Sequence, residues 1–122
     1  MGITTAGLRE VAKKIVGASA GAAFDYLALG DDNTAFAVGQ TALGNEITGN
    51  GLARAQDASP SESSAVATID YTWTASGSET IREVGSFNAS SSGTMLHREV
   101  LGTARSMTNG STYKYTLNVT VS

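Results

Sequence analysis

The chain has no cysteine, one proline, one histidine and one tryptophan in 122 residues, and only 7% of it is aromatic. Without cysteine there is no disulfide framework, no thiol nucleophile and no thiolate zinc site. Charge is sparse too: 16% of residues are charged, with eight Lys and Arg against eleven Asp and Glu, a net charge of −3. No run of Lys or Arg occurs, so the basic footprint that grips nucleic-acid phosphates is missing. No window approaches the roughly 20 apolar residues of a membrane-spanning helix. Lys13-Lys14, Ile15-Val16 and Ala18-Ser19-Ala20 faintly imitate a secretory signal, but the apolar stretch is too short and Glu10 stands upstream. Neither nucleic acid nor a membrane is therefore an expected partner.

What is abundant is small. The chain holds 18 Ala, 14 Gly, 14 Ser and 15 Thr, together half of its residues. Such side chains suit thin sheets, tight turns and close subunit contacts, and they leave few groups for chemistry. A chain of this length is expected to form one domain over 1–122, burying roughly two-thirds of its unfolded surface. Within it, 1–20 reads as an N-terminal helical arm and 23–122 as a β-sandwich. The helical period runs over residues 5 to 16, where Leu8, Val11, Ala12, Ile15 and Val16 share one face. Thr4 or Thr5 can cap its start and Gly17 supplies a stop. So short a helix is marginal alone, so its apolar stripe needs a surface to dock on. The simplest reading packs it on the chain's own sheet; the other makes it an arm that reaches a partner.

After the helix the period changes to two. Phe24, Tyr26 and Ala28 alternate with Asp25, Leu27 and Leu29 as a first strand, which Gly30-Asp31-Asp32-Asn33 closes as a turn. Residues 34 to 60 read as loop, with a short strand at Leu52 to Ala55, and Ser59 to Ser64 reads as an exposed turn. Ala67, Ile69, Tyr71, Trp73 and Ala75 alternate with Thr68, Asp70, Thr72 and Thr74, the pattern of a half-buried strand. A strand over Thr80 to Asn88 breaks alternation at Ile81, Val84 and Phe87, which predicts a bulge near Glu83 to Gly85. Another strand follows over Thr94 to Leu101. Asn109-Gly110 signals a tight hairpin leading into Tyr113, Tyr115, Leu117, Val119 and Val121. Short strands at this spacing predict a mainly β fold, an antiparallel, jelly-roll-like β-sandwich with one short N-terminal α-helix.

Candidate chemistry is thin. Gly17-Ala18-Ser19-Ala20-Gly21 spells the nucleophile-elbow pattern, but a helix precedes it and a strand follows, the reverse of the order that exposes such a serine. His97, the sole imidazole, is expected to be a surface or interface residue rather than a general base. Asp31, Asp32 and Asn33 imitate a fragment of a calcium loop without its glycine and terminal glutamate, so an acidic turn is the expectation. Tyr71 and Trp73 could line a sugar-binding surface, but the face they share with Ile69 points to core packing. The Arg9, Lys13 and Lys14 stripe reads as a solvated helix face. No catalytic, cofactor-binding or metal-binding residue is expected, and the chain is not read as an enzyme.

The stretch Ile81-Arg82-Glu83-Val84-Gly85-Ser86-Phe87-Asn88, followed by Gly93-Thr94-Met95-Leu96-His97-Arg98, resembles a pattern of small virion proteins of tailed bacteriophages. There an Ile-x-Glu-Val-Gly-x-Phe-Asn segment precedes Gly-Thr-Met-Leu-x-Arg. Tyr26-Leu27-Ala28-Leu29-Gly30 and Thr41-Ala42-Leu43-Gly44-Asn45-Glu46-Ile47 resemble two further segments of that family in the same order. Ser86 stands where the family commonly has Leu. The resemblance implies a virion structural protein, of the tail-fibre or tail-collar kind or of the kind that decorates capsids. Because the chain stops at Ser122, soon after its last strand, the leading expectation is a self-contained capsid decoration or cement protein that binds and stabilises the assembled shell. A tail-associated collar, adaptor or fibre-base component is the alternative, and a small carbohydrate-binding module the second alternative. The implied partners are the major capsid protein or tail proteins, with self-association, a trimer among its symmetric forms. The expected location is the virion, assembled in the host cytoplasm. Leu8, Arg9, Val11, Lys13 and Ile15 are the expected partner interface, with further contacts from the 31 to 64 loops. The segments around Ile81, Val84, Phe87 and Leu96 are expected in the core.

Overall fold

Alternating apolar and Thr-rich positions make the second half of the chain into long strands with one face apiece for the core. The structure, a computed structural model, describes residues 2–18 and 21–122. Its elements are β1 (Gly2–Ile3), α1 (Thr5–Ile15), β2 (Tyr26–Gly30), β3 (Ala55–Gln56), β4 (Ser61–Ser63), β5 (Val66–Thr74), β6 (Glu79–Phe87), β7 (Met95–Met107) and β8 (Thr112–Thr120). They form two antiparallel sheets, a five-stranded one in the order β1-β7-β6-β2-β3 and a three-stranded one in the order β4-β5-β8. This is the expected mainly β sandwich with one short helix. The nesting of the β6–β7 pair inside the β5–β8 pair is its jelly-roll-like feature.

The main core lies between the sheets, with Leu27, Leu29, Ile81 and Val84 from one and Ile69, Trp73, Tyr113 and Leu117 from the other. The outer face of the larger sheet is covered as well, where Ala28, Phe87 and Met95 pack with Leu43 of the long 31–54 segment. Ile81, Val84, Phe87 and Leu96 are all buried, as expected. The broken alternation in β6 has a plain cause. The register with β7 shifts between Ile81 and Glu83 and again between Ser86 and Phe87, so Ile81 and Val84 both reach the inter-sheet core.

Several local expectations change. Asn109-Gly110 makes no hairpin, because β7 and β8 belong to different sheets. The Ser111 amide donates to Thr108, and only Gly110 of the two central residues has a positive φ, 89°. That is a type II turn, whose twist does not match paired strands, and here it carries the chain across the corner of the sandwich. The Ser59 to Ser64 turn contains the exposed edge strand β4, and the strand expected at Leu52 to Ala55 is β3, displaced to Ala55–Gln56 while Leu52 is buried. Strand β7 runs on to Met107, well past Leu101. Finally, β1 pairs Gly2 with Arg98 and Ile3 with His97, so the first residues of the arm belong to the larger sheet.

Candidate docking surface

The helix is held by its first turn, and much of its apolar stripe faces away from the sheet. Buried Thr4 donates its hydroxyl to the Met95 carbonyl and accepts from the Gly7 amide at 2.9 Å, while its own amide donates to Leu96. This is an N-cap that doubles as an anchor. Gly7 rests directly on β7, since a Cβ there would stand 2.6 Å from the Leu96 Cα. Apart from half-buried Val11, the apolar stripe does not pack on the chain's own sheet. Gly7 is the one fully buried residue of the helix, whereas Leu8 is 57% exposed, Ile15 79% and Val16 76%.

Of the residues expected at an interface, Leu8, Arg9, Lys13 and Ile15 are exposed, and Val11 is half-buried. Val11 turns toward an apolar groove of about 290 Å³ lined also by Phe24, Ile69, Leu96, Val119 and Val121. Lys14 closes its rim by donating to the Gly21 carbonyl at 2.7 Å and the Ala22 carbonyl at 3.1 Å, with its ammonium 5.9 Å from the Phe24 ring centre. Val38, 60% exposed, lies at the helix start, where its carbonyl accepts from the Thr5 amide. The surface is thus an apolar strip on α1, bordered by Arg9 and Lys13 and extended by Val38. An isolated exposed apolar residue is ordinary; a contiguous strip on a helix asks for a partner.

A buried ion pair fixes the long loop beside this surface. Glu83 and Arg98 are fully buried and meet at 2.7 Å on the outer face of the larger sheet. Glu83 also accepts from the Gly44 and Asn45 amides, both at 2.9 Å. Arg98 donates to the Thr34 carbonyl at 2.9 Å and to Gln40 at 3.3 Å. Two strands thereby hold the two halves of one loop, and each charge keeps hydrogen-bond partners that offset its desolvation. Nothing in residue spacing announces this network, because its members lie far apart in sequence. Arg54 holds the next loop in the same way, with two bonds to Glu46, bonds to the Ala89 and Ser92 carbonyls, and its guanidinium 3.7 Å from the Phe87 ring centre.

The remaining candidates are structural. His97 is not at the surface; it is fully buried between the sheets. Tyr115 donates to Glu99 at 2.7 Å, so its oxygen accepts from His97 Nε2 at 3.1 Å, which leaves Nδ1 to accept from Ser86 at 2.8 Å. Burial pushes the imidazole down to about 4, and it pushes the Tyr115 phenol up, helped by the Glu99 carboxylate. The Ser86–His97 pair has the look of a nucleophile with its base, yet both side chains are sealed from solvent. Asp31 is paired with Arg82 at 2.7 Å, and Asp32 accepts from the Thr34 amide and hydroxyl, which lowers its carboxyl below the usual range. Trp73 is buried and donates to the Ala53 carbonyl at 2.9 Å, so it offers no stacking platform, and Tyr71 packs edge-on against it. Ser19 lies outside the described residues.

Residues 16–121 match a family model described as podophage GP4 fiber I protein gp80. The match takes in the sandwich and leaves out β1 and α1. No curated protein matches the chain.

Proposed function

The chain belongs to the family of podophage GP4 fiber I protein gp80, and from that premise we propose that this bacteriophage structural protein serves at the tail fibre and docks there through α1. The observation that carries the docking is the unpartnered strip of Leu8, Ile15 and Val16 on a helix whose base is firmly anchored. A rigid sandwich loses little conformational freedom on binding, and a helix fixed at one end presents its face already ordered. The partner surface that fits is an apolar groove edged with acidic side chains, complementary to Arg9 and Lys13. The role is non-enzymatic: the serine–histidine pair has no access to a substrate, and its groups are spent on joining β6, β7 and β8.

The family description supports the tail over the shell, and copy number tests the choice. Quantitative mass spectrometry of purified virions against the major shell protein is expected to give a ratio about two orders of magnitude below one, since tail sites are that much rarer than shell sites. A ratio near one copy per shell subunit, or per few subunits, would overturn the tail assignment and make the chain a decoration protein.

A further inference from the structure

The sandwich ends in one long open edge, and its sequence complements itself. We propose that two copies of the chain pair antiparallel through β8, joining their three-stranded sheets into one of six strands about a two-fold axis at Thr116. The strands at the other edges are short. β1 and β3 have two residues each and β4 has three, and lengths so short offer little to a neighbour. Beyond Arg98 the open side of β7 is distorted, since β7 carries three more residues than β6 between the pairs Glu83–Val100 and Ile81–Arg105. In contrast, all nine residues of β8 pair with β5 in one unbroken register, and β8 has no neighbour on its other side among the described residues. It contains no proline and a single charge, Lys114.

The order Thr-Tyr-Lys-Tyr-Thr-Leu-Asn-Val-Thr from 112 to 120 nearly mirrors about its centre. With Thr116 facing Thr116 of the second copy, all nine residues find a partner. Thr112 then opposes Thr120, Tyr113 opposes Val119, Lys114 opposes Asn118 and Tyr115 opposes Leu117. Threonine, lysine and asparagine all fall on the solvent face, where they are exposed in the single chain, and the aromatic and aliphatic residues all fall on the core face. The one charge meets an amide rather than its own copy. A two-fold centred on Lys114 instead would set the two lysines against each other and leave the end of the strand unpaired. This pairing is independent of where in the virion the chain resides.

Because the chain lacks cysteine, disulfide trapping reads the register without background. Directly opposed Cα atoms in an antiparallel pair lie about 4.5–5.5 Å apart, within disulfide reach. Thr116→Cys is expected to give a covalent dimer on mild oxidation. Thr112→Cys alone gives none, but mixed with Thr120→Cys it gives the heterodimer. Sedimentation equilibrium of the unmodified full chain is expected to return twice 12.5 kDa. Asn118→Lys, an exposed change that places lysine opposite Lys114 twice per dimer, is expected to weaken association about tenfold, and adding Lys114→Glu restores it. Circular dichroism of each variant checks that the fold is intact. A monomer, a trimer, or a dimer in which Thr116→Cys fails to crosslink would overturn the pairing.

Discussion

Two buried residues next to each other in β7 do opposite electrostatic work. Arg98 is met by Glu83, and the loop carbonyls satisfy the rest of the guanidinium. His97, one residue earlier and on the other face, gives its charge up, because between the sheets it has hydroxyl partners and no buried acid at bonding distance. The sign of the pH dependence follows. With a folded pKa of about 4 against an ordinary 6.5, His97 leaves the folded chain binding fewer protons than the unfolded chain between those values. Its contribution to stability is full above pH 6.5 and lost as pH falls toward 4, at about 1.4 kcal/mol per pH unit. Urea titrations at pH 7.5 and pH 5 are expected to show the native chain losing about 2 kcal/mol more than His97→Gln over that interval. Parallel losses would mean that the imidazole does not titrate in this way. For the ion pair, Arg98→Met strands the Glu83 carboxylate and is expected to cost about 3–5 kcal/mol by the same titration, with the double change Glu83→Leu/Arg98→Met costing less than the two singles together.

Elements whose partners are encoded by period were legible in the sequence; those fixed by a single contact were not. Alternation located β5 and β8 because each buries one face against the opposite sheet, and the same rule placed Ile69 and Trp73 in the core. A two-residue strand such as β1 has no period to read, so the tie between the arm and the sheet was invisible. The Asn-Gly pair was misleading because composition selects a tight turn, whereas the choice between a hairpin and a corner rests on φ at Asn109. The helix shows the sharpest divergence. Its apolar stripe was legible, but the surface that docks it is a glycine, which no hydrophobic pattern marks. Gly7→Ala tests this. In an unconstrained helix the change would stabilise by up to about 1 kcal/mol, whereas here the methyl meets the Leu96 backbone and the helix must lift. Faster hydrogen exchange of the Thr4 and Gly7 amides, with the amides of β5 and β8 unchanged, is the expected result. Unaltered exchange at Gly7 would contradict the close contact.

At the scale of the molecule, the chain's apolar residues fall into a buried set and an exposed set, and the two should respond differently to substitution. Leu29, fully buried between the sheets, belongs to folding, and Leu29→Ala is expected to cost about 2–5 kcal/mol for the lost burial and the cavity left behind. Leu8 and Ile15 are mostly in water already, so charging them removes almost nothing from the folded chain. Each exposed change is expected to alter stability by less than about 0.5 kcal/mol. Burial of those same side chains against a partner, however, is worth about 1.5–3 kcal/mol apiece, and the double variant Leu8→Glu/Ile15→Glu also brings acid to a surface expected to be acidic. A melting temperature unchanged within a few degrees, together with loss of the chain from purified virions, is therefore the expected signature of a docking helix. The family match is silent on this segment, since it begins at residue 16. Virions that retain the doubly charged variant at full copy number would show that attachment runs through another surface.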